Sequence, residues 1–219
     1  MDTLRVLFEK LLKAQLTVNL NKCDFGCARV QFLGHVVGHG VVTPVEAKVK
    51  AICDFLQPRS RKELMRFLGM AGYYRKFCPN FSTVAEPLTR LLSKSMKYEW
   101  TSNAENSFEG LKRMLASSPV LAAPQFNRPF KLAVDASDVA CGGVLLQEDH
   151  QNIDHPICYF SKKFNIHQRR YSTIEKECLA LILSLQHFEV YLSNTLPLTV
   201  YSDHNPLVFM DRVRFKNQR

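Results

Sequence analysis

The sequence predicts an α/β fold. A mixed sheet of three antiparallel strands, a crossover helix and a parallel fourth strand follows a mainly helical segment that carries a β-hairpin. Three observations predict it. Phe130, Leu132 and Val134 alternate at strand period and lead into Asp135. Ser172-Thr-Ile-Glu175 is a capping box that opens a long helix between strand-like stretches. Earlier in the chain, capping boxes and apolar stripes at helical spacing recur instead of strand alternation.

The charge divides along the same line. Residues 1–128 carry 19 basic and 10 acidic side chains, while residues 129–219 carry 10 of each, so the whole net charge of +9 lies in the first part. A basic first part suits a polyanion. No apolar run reaches the ~18 residues of a membrane span, and the N-terminus lacks a signal-peptide pattern, so an intracellular protein of cytoplasm or nucleus is expected. The seven scattered cysteines suit free thiols in a reducing compartment.

Taken in order, Leu4, Leu7, Phe8, Leu11 and Leu12 predict an amphipathic helix over 3–14, capped by Thr3. Leu16–Leu20 and Val30–Val36 read as strands, and Gly38-His39-Gly40 turns the second into Val41-Val42 as a hairpin. Thr43-Pro44-Val45-Glu46 is a capping box with proline at the first helical position, and its helix runs through Leu56 to Pro58. Ser60-Arg61-Lys62-Glu63 opens the next helix, with Leu64, Phe67, Leu68 and Ala71 as the buried stripe. Lys62, Arg66, Gly69, Tyr73 and Lys76 fall on another face, where basic groups, a ring and a glycine could track a phosphate backbone. A helix over 82–92 contains Pro87. Ser102-Asn-Ala-Glu105 caps a helix carrying Phe108, Leu111 and Leu115, and Pro119, Pro124 and Pro129 mark an extended connection. The domain boundary is placed between 93 and 129, near Tyr98-Glu-Trp100.

Strands are then expected from Phe130 to Asp135, Ala140 to Leu146 and Pro156 to Phe160, with a helix to about Leu192 and a last strand from Leu198 to Asp203. Short links make the first three a meander, and the helical crossover lets the fourth pair parallel with the first. Asp135 and Asp203 then share one sheet rim, where ligands bind in open α/β sheets. Glu177 lies about 200° around the helix from Glu175 at ~3.6 residues per turn and shares a face with Ala180, Leu181 and Ser184. Glu177 is therefore assigned to the rim and Glu175 to the cap. Three converging carboxylates favour a hard cation, Mg²⁺ or Mn²⁺, and two such ions can clamp a phosphodiester. With the basic first part, this points to a metal-dependent nuclease.

A series of motifs then gives the chain a resemblance. Phe32-Leu-Gly-His35, Phe67-Leu-Gly-Met-Ala-Gly-Tyr-Tyr-Arg75, Pro119-Val-Leu121, Val134-Asp-Ala-Ser-Asp138, Tyr171-Ser-Thr-Ile-Glu-Lys-Glu177 and Asp203-His-Asn-Pro-Leu207 occur in that order. Together they resemble the carboxyl-terminal half of gypsy-like long-terminal-repeat retrotransposon reverse transcriptases. The resemblance implies a palm remnant with a primer-grip-like hairpin over 1–45, a thumb-like helical segment over 46–97 and an RNase H-like domain over 98–219, truncated at its C-terminus. It implies hydrolysis of the RNA strand of an RNA–DNA hybrid. Asp135 would bridge two metals, with Glu177 and Asp203 on the leaving-group side, and Lys62, Arg66, Tyr73 and Lys76 would meet duplex nucleic acid. The paired-aspartate polymerase motif and the fourth RNase H carboxylate are missing from the chain, and Asp211 is too close to Asp203 to replace the latter. Polymerase activity is therefore not expected, and weak cleavage, or none, is. The rival reading is a catalytically inactive nucleic-acid-binding remnant or domesticated scaffold.

Weaker constellations remain. Cys23, Cys27, His35 and His39 have a superficial zinc spacing, but the gap between the pairs is shorter than the ~12 residues of a zinc finger. His204 reads as a turn residue, His187 as a complement to the helix dipole, and Asp138 as the cap of the turn after the first strand of the sheet.

Overall fold

A computed structural model describes residues 2–117, 120–193 and 196–203. Helix α1 spans Asp2–Lys13. Residues 16–20 form no strand: Asn19 accepts a hydrogen bond from the Asn21 amide and turns the chain into a 3₁₀ turn over Leu20–Lys22. The stretch read as one strand over Val30–Val36 is two. β1 (Arg29–Phe32) and β2 (His35–Gly38) are joined at Leu33-Gly34, and β2 and β3 (Val41–Pro44) at His39-Gly40. All four turn residues have positive φ, from 43° at Leu33 to 74° at Gly40, as a tight hairpin of primed type needs. Leucine in that conformation is unusual, which hides the first turn from a reading of sequence.

Pairing with β2 holds Thr43 and Pro44 in β3. The expected capping box therefore does not form, and helix α2 (Glu46–Cys53) starts after Val45 with no side-chain cap. It also ends early, leaving Leu56 outside the helix and 84% exposed. Helix α3 (Arg61–Tyr73) keeps half of its box. Ser60 accepts from the Glu63 amide, but the Glu63 carboxylate takes the Arg59 amide at 2.7 Å instead of that of Ser60. The helix expected over 82–92 is two short ones, α4 (Phe81–Val84) and α5 (Glu86–Leu91), with Pro87 at the start of the second, where its missing N–H costs nothing. Helix α6 (Ser102–Ala116) is capped by Thr101, one residue earlier than expected, and Glu105 accepts from the Trp100 indole at 2.5 Å.

Leu64, Phe67 and Ala71 of α3, Leu88 of α5, and Phe108, Leu111 and Leu115 of α6 close one apolar core. The Phe67 and Phe108 rings lie 4.5 Å apart, centroid to centroid. Helix α6 therefore shares its core with the helices before it. Strand β4 (Leu121–Ala122) returns to the hairpin and pairs with Val41 and Val42, and Pro119 lies outside the described residues.

The second sheet holds β5 (Phe130–Ala136), β6 (Ala140–Glu148), β7 (Asp154–Lys163) and β8 (Leu198–Tyr201) in the order β7-β6-β5-β8. The first three are antiparallel, and β8 is parallel to β5 across helix α7 (Thr173–Leu192), as expected. Phe130, Leu132 and Val134 are buried with Ala180 and Phe188 of α7 in a second core. Polar contacts lock the two cores together at β7. Arg75 donates to the Ser161 carbonyl, the Ser82 amide to the Ser161 hydroxyl at 2.7 Å, and Glu86 accepts from Lys163 and Arg169 at 3.2 and 3.4 Å.

Candidate metal centre

Strand register places the first two carboxylates. Ala133 pairs with Tyr201, so two residues further along each parallel strand bring Asp135 and Asp203 level at one rim. The third comes from α7. The Ser172 hydroxyl accepts from the Glu175 amide, and the Glu175 carboxylate accepts from the Ser172 amide at 2.8 Å, so Glu175 is spent on the helix start. These bonds from Ser172, backbone first, hold its pKa below the usual carboxylate range. Glu177 faces the sheet instead. It is only 3% exposed, and its Oε1 accepts from the Ala136 amide at 3.2 Å, which ties the helix to the strand that carries Asp135.

Two glycines let α7 and the helical unit come close. A Cβ at Gly143 would lie 2.5 Å from the Ser184 hydroxyl of α7, and one at Gly142, opposite Asp135, 2.7 Å from Asn80 Oδ1. The outcome is convergence: Asp135, Glu177 and Asp203 each offer an oxygen within 4.8 Å of the others. Among the described residues, this is the group of three or more acidic, histidine or cysteine side chains whose ligand atoms meet. An all-carboxylate set at this spacing suits a hard divalent cation and not the thiolate-loving metals.

Other sequence expectations land differently. Asp138 does not cap its turn; the Ser137 hydroxyl does, accepting from the Val139 and Ala140 amides at 3.3 and 3.1 Å. Asp138 pairs with Lys176 at 2.8 Å, and that hydrogen bond lowers its pKa. His187 stacks on Phe160 with centroids 4.6 Å apart, and burial followed by the nearby Arg75 lowers its pKa. Five residues short of the helix end, it lies outside the last turn where the dipole acts, and it packs against Phe160 and Phe188. His35 lies among Tyr73, Tyr74 and Phe77, with Nδ1 2.7 Å from the Leu33 carbonyl. His204, Asp211 and the end of the Asp203–Leu207 motif lie outside the described residues. On α3, Lys62, Arg66 and Tyr73 are exposed, and a Cβ at Gly69 would meet open space. The Tyr73 hydroxyl donates to the Leu33 carbonyl, and Lys76 falls beyond the helix end, over the Phe77 ring. The Lys176–Asp138 pair escaped the sequence reading, because residues 38 positions apart give no local signal.

This fold, with its rim of three carboxylates, is that of RNase H-like domains, and residues 100–200 match the family described as the RNase H-like domain found in reverse transcriptase. Over most of its length the chain is homologous to retrotransposon polyproteins. It is 44% identical over 217 residues to the retrovirus-related Pol polyprotein from transposon opus of Drosophila melanogaster, covering 94% of the chain and 22% of that protein. It is 37% identical over 203 residues to the Tf2-3 transposon polyprotein of Schizosaccharomyces pombe, covering 92% of the chain and 15% of that protein. The chain thus spans about a fifth or less of these relatives. In structure it is similar to the foamy viral protease-reverse transcriptase solved in complex with an RNA/DNA hybrid. There the TM-score is 0.73 at 25% identity, over 95% of this chain and 29% of that one. No helix among the described residues is long and apolar enough to cross a membrane.

Proposed function

We propose that this chain is a segment of a retrotransposon reverse transcriptase whose RNase H-like unit hydrolyses the RNA strand of an RNA–DNA hybrid. Asp135, Glu177 and Asp203 would hold Mg²⁺, or Mn²⁺ in its place. The observation that carries the reading is the meeting of three acids from β5, α7 and the end of β8 within 4.8 Å. Bound there, the metal would supply Lewis acidity at the phosphodiester and a water of lowered pKa. The chain's part is placement. Glu177 is fixed by the Ala136 amide, so one donor is set before any ligand arrives. Asp135 and Asp203, both exposed, present their carboxylates at the open mouth of the rim, where a strand can enter.

On this reading residues 1–45 are a palm remnant, 46–97 a thumb-like segment and 98–219 the RNase H-like domain. Lys62 and Arg66 on the exposed face of α3 would hold the phosphate backbone of the same duplex, beside Tyr73 and Lys76. The test is cleavage of a labelled hybrid with Mg²⁺ or Mn²⁺ by the native chain and its Asp135→Asn form. Weak product, and from the native chain alone, is expected. Equal product from both removes the site, and hybrid binding with no product from either favours a non-catalytic binding remnant.

A further inference from the structure

A second cluster of charge lies apart from the acidic rim. A cleft of about 310 Å³ at the outer edge of β7 is lined by Arg75 and Lys76 from the helical unit, and by Phe160, Ser161, Lys162 and His187 from the sheet unit. No carboxylate lines it. Among the described residues none of its four basic side chains is in an ion pair, and Glu86 on the adjoining α5 is already held by Lys163 and Arg169. Arg75 is pre-positioned. One terminal nitrogen donates to the Ser161 carbonyl and, at 3.2 Å, to the Ser82 hydroxyl, while its guanidinium carbon lies 5.6 Å from the centre of the Phe81 ring. A guanidinium has five N–H donors, so this anchoring leaves others for a ligand. Burial lowers the pKa of both Arg75 and Lys76.

The cleft is also close to the rim. Ser161 pairs with Gly142, and Gly142 with Asp135, so the Ser161 wall of the cleft stands two strand spacings from Asp135. That is roughly 10 Å, about three nucleotides of rise along one strand of a duplex. We propose that the Arg75–Lys76–Lys162–His187 cleft binds a phosphodiester of the nucleic acid whose strand enters the acidic rim, and so sets the register of that strand. The inference rests on the nucleic-acid reading of the rim and adds a contact that bridges the two units.

Arg75 supports the fold through Ser161, so the test uses Lys76→Gln with Lys162→Gln, and Lys162→Gln and Lys162→Glu alone. Anisotropy of a labelled RNA–DNA hybrid in EDTA reads binding without cleavage. Loss of two phosphate contacts should weaken binding by about tenfold or more at low salt and flatten the salt slope by about 2, at an unchanged melting temperature. Lys162→Glu should weaken binding further than Lys162→Gln. Unchanged affinity and slope, with the native chain still binding, overturn the cleft alone. Inorganic phosphate that perturbs the Lys162 region by NMR while the variants bind hybrid normally also overturns it, since the cleft would then take a free anion. The nucleic-acid reading fails separately, if the native chain binds no hybrid and shows no Asp135-dependent cleavage.

Discussion

The helical unit and the sheet unit handle charge in opposite ways. In the first, Phe67, Phe108 and Leu111 close an apolar core, and Lys62 and Arg66 stay outside it. In the second, topology draws three carboxylates to one rim and buries Glu177 almost completely. Helix starts are capped in both, by Ser60 and Thr101 in the first and Ser172 in the second. The difference therefore does not lie in local helix chemistry. It lies in what each helix packs against: other helices in the first unit, and in the second a sheet whose parallel pair ends in acids.

The largest expected effect tests whether the two cores are one. Phe67→Ala should cost about 3–5 kcal/mol and Leu132→Ala about 2–5 kcal/mol. If the contacts at β7 make one cooperative body, calorimetry should show a single transition lowered by either change. Two transitions, each answering to one substitution, would break the picture of locked units.

Next come the two glutamates of α7. Glu177→Gln should remove metal-dependent cleavage by about 10²-fold or more, since even outer-sphere changes at metal sites cost 10–100-fold. It should not lower the melting temperature, because an amide oxygen still accepts from the Ala136 amide. Glu175→Gln should do the reverse, keeping cleavage and losing up to about 1 kcal/mol of helix capping. Matching phenotypes for the two would undo the division of labour on this helix.

A smaller effect is expected where the units join. Burial alone would raise the pKa of Glu86, yet hydrogen bonds from Lys163 and Arg169 and the charges of Lys163 and Arg90 bring it below the usual value. A depressed carboxylate stabilises the fold above its unfolded pKa, and that share is lost as pH falls through the lower folded value. Glu86→Gln should therefore cost about 1.5–3 kcal/mol at neutral pH. Denaturant titrations should show the gap from the native chain shrinking in acid, below the ordinary carboxylate pKa. A gap independent of pH would mean that packing, not charge, joins the units there. Smallest in energy, Lys62→Ala with Arg66→Ala should weaken hybrid binding and lower the salt slope by about 2. An unchanged slope would take the α3 face out of the interface.

Much of the second unit could be read directly from the chain. The meander, the crossover and the parallel return follow from alternation, short links and a long capped helix, and the separation of Glu175 from Glu177 follows from helix geometry. The first unit was less open to this reading. Leu33 takes a left-handed turn that leucine rarely adopts, and the β2–β3 ladder takes Thr43 and Pro44 away from a helix start. In both places partners from another part of the chain override local preference.

The sequence by itself determined the order of elements, the strand that ends in Asp135 and the helix that buries Glu177, because these depend on neighbours a few residues apart. Only the tertiary structure decided that Lys176 turns to Asp138, that Asn80 closes on Gly142, and that Arg75 meets Lys162 and His187 across two units. Those pairs are tens of residues apart. Their meeting is fixed by sheet register and by which faces pack together, and no local pattern encodes either.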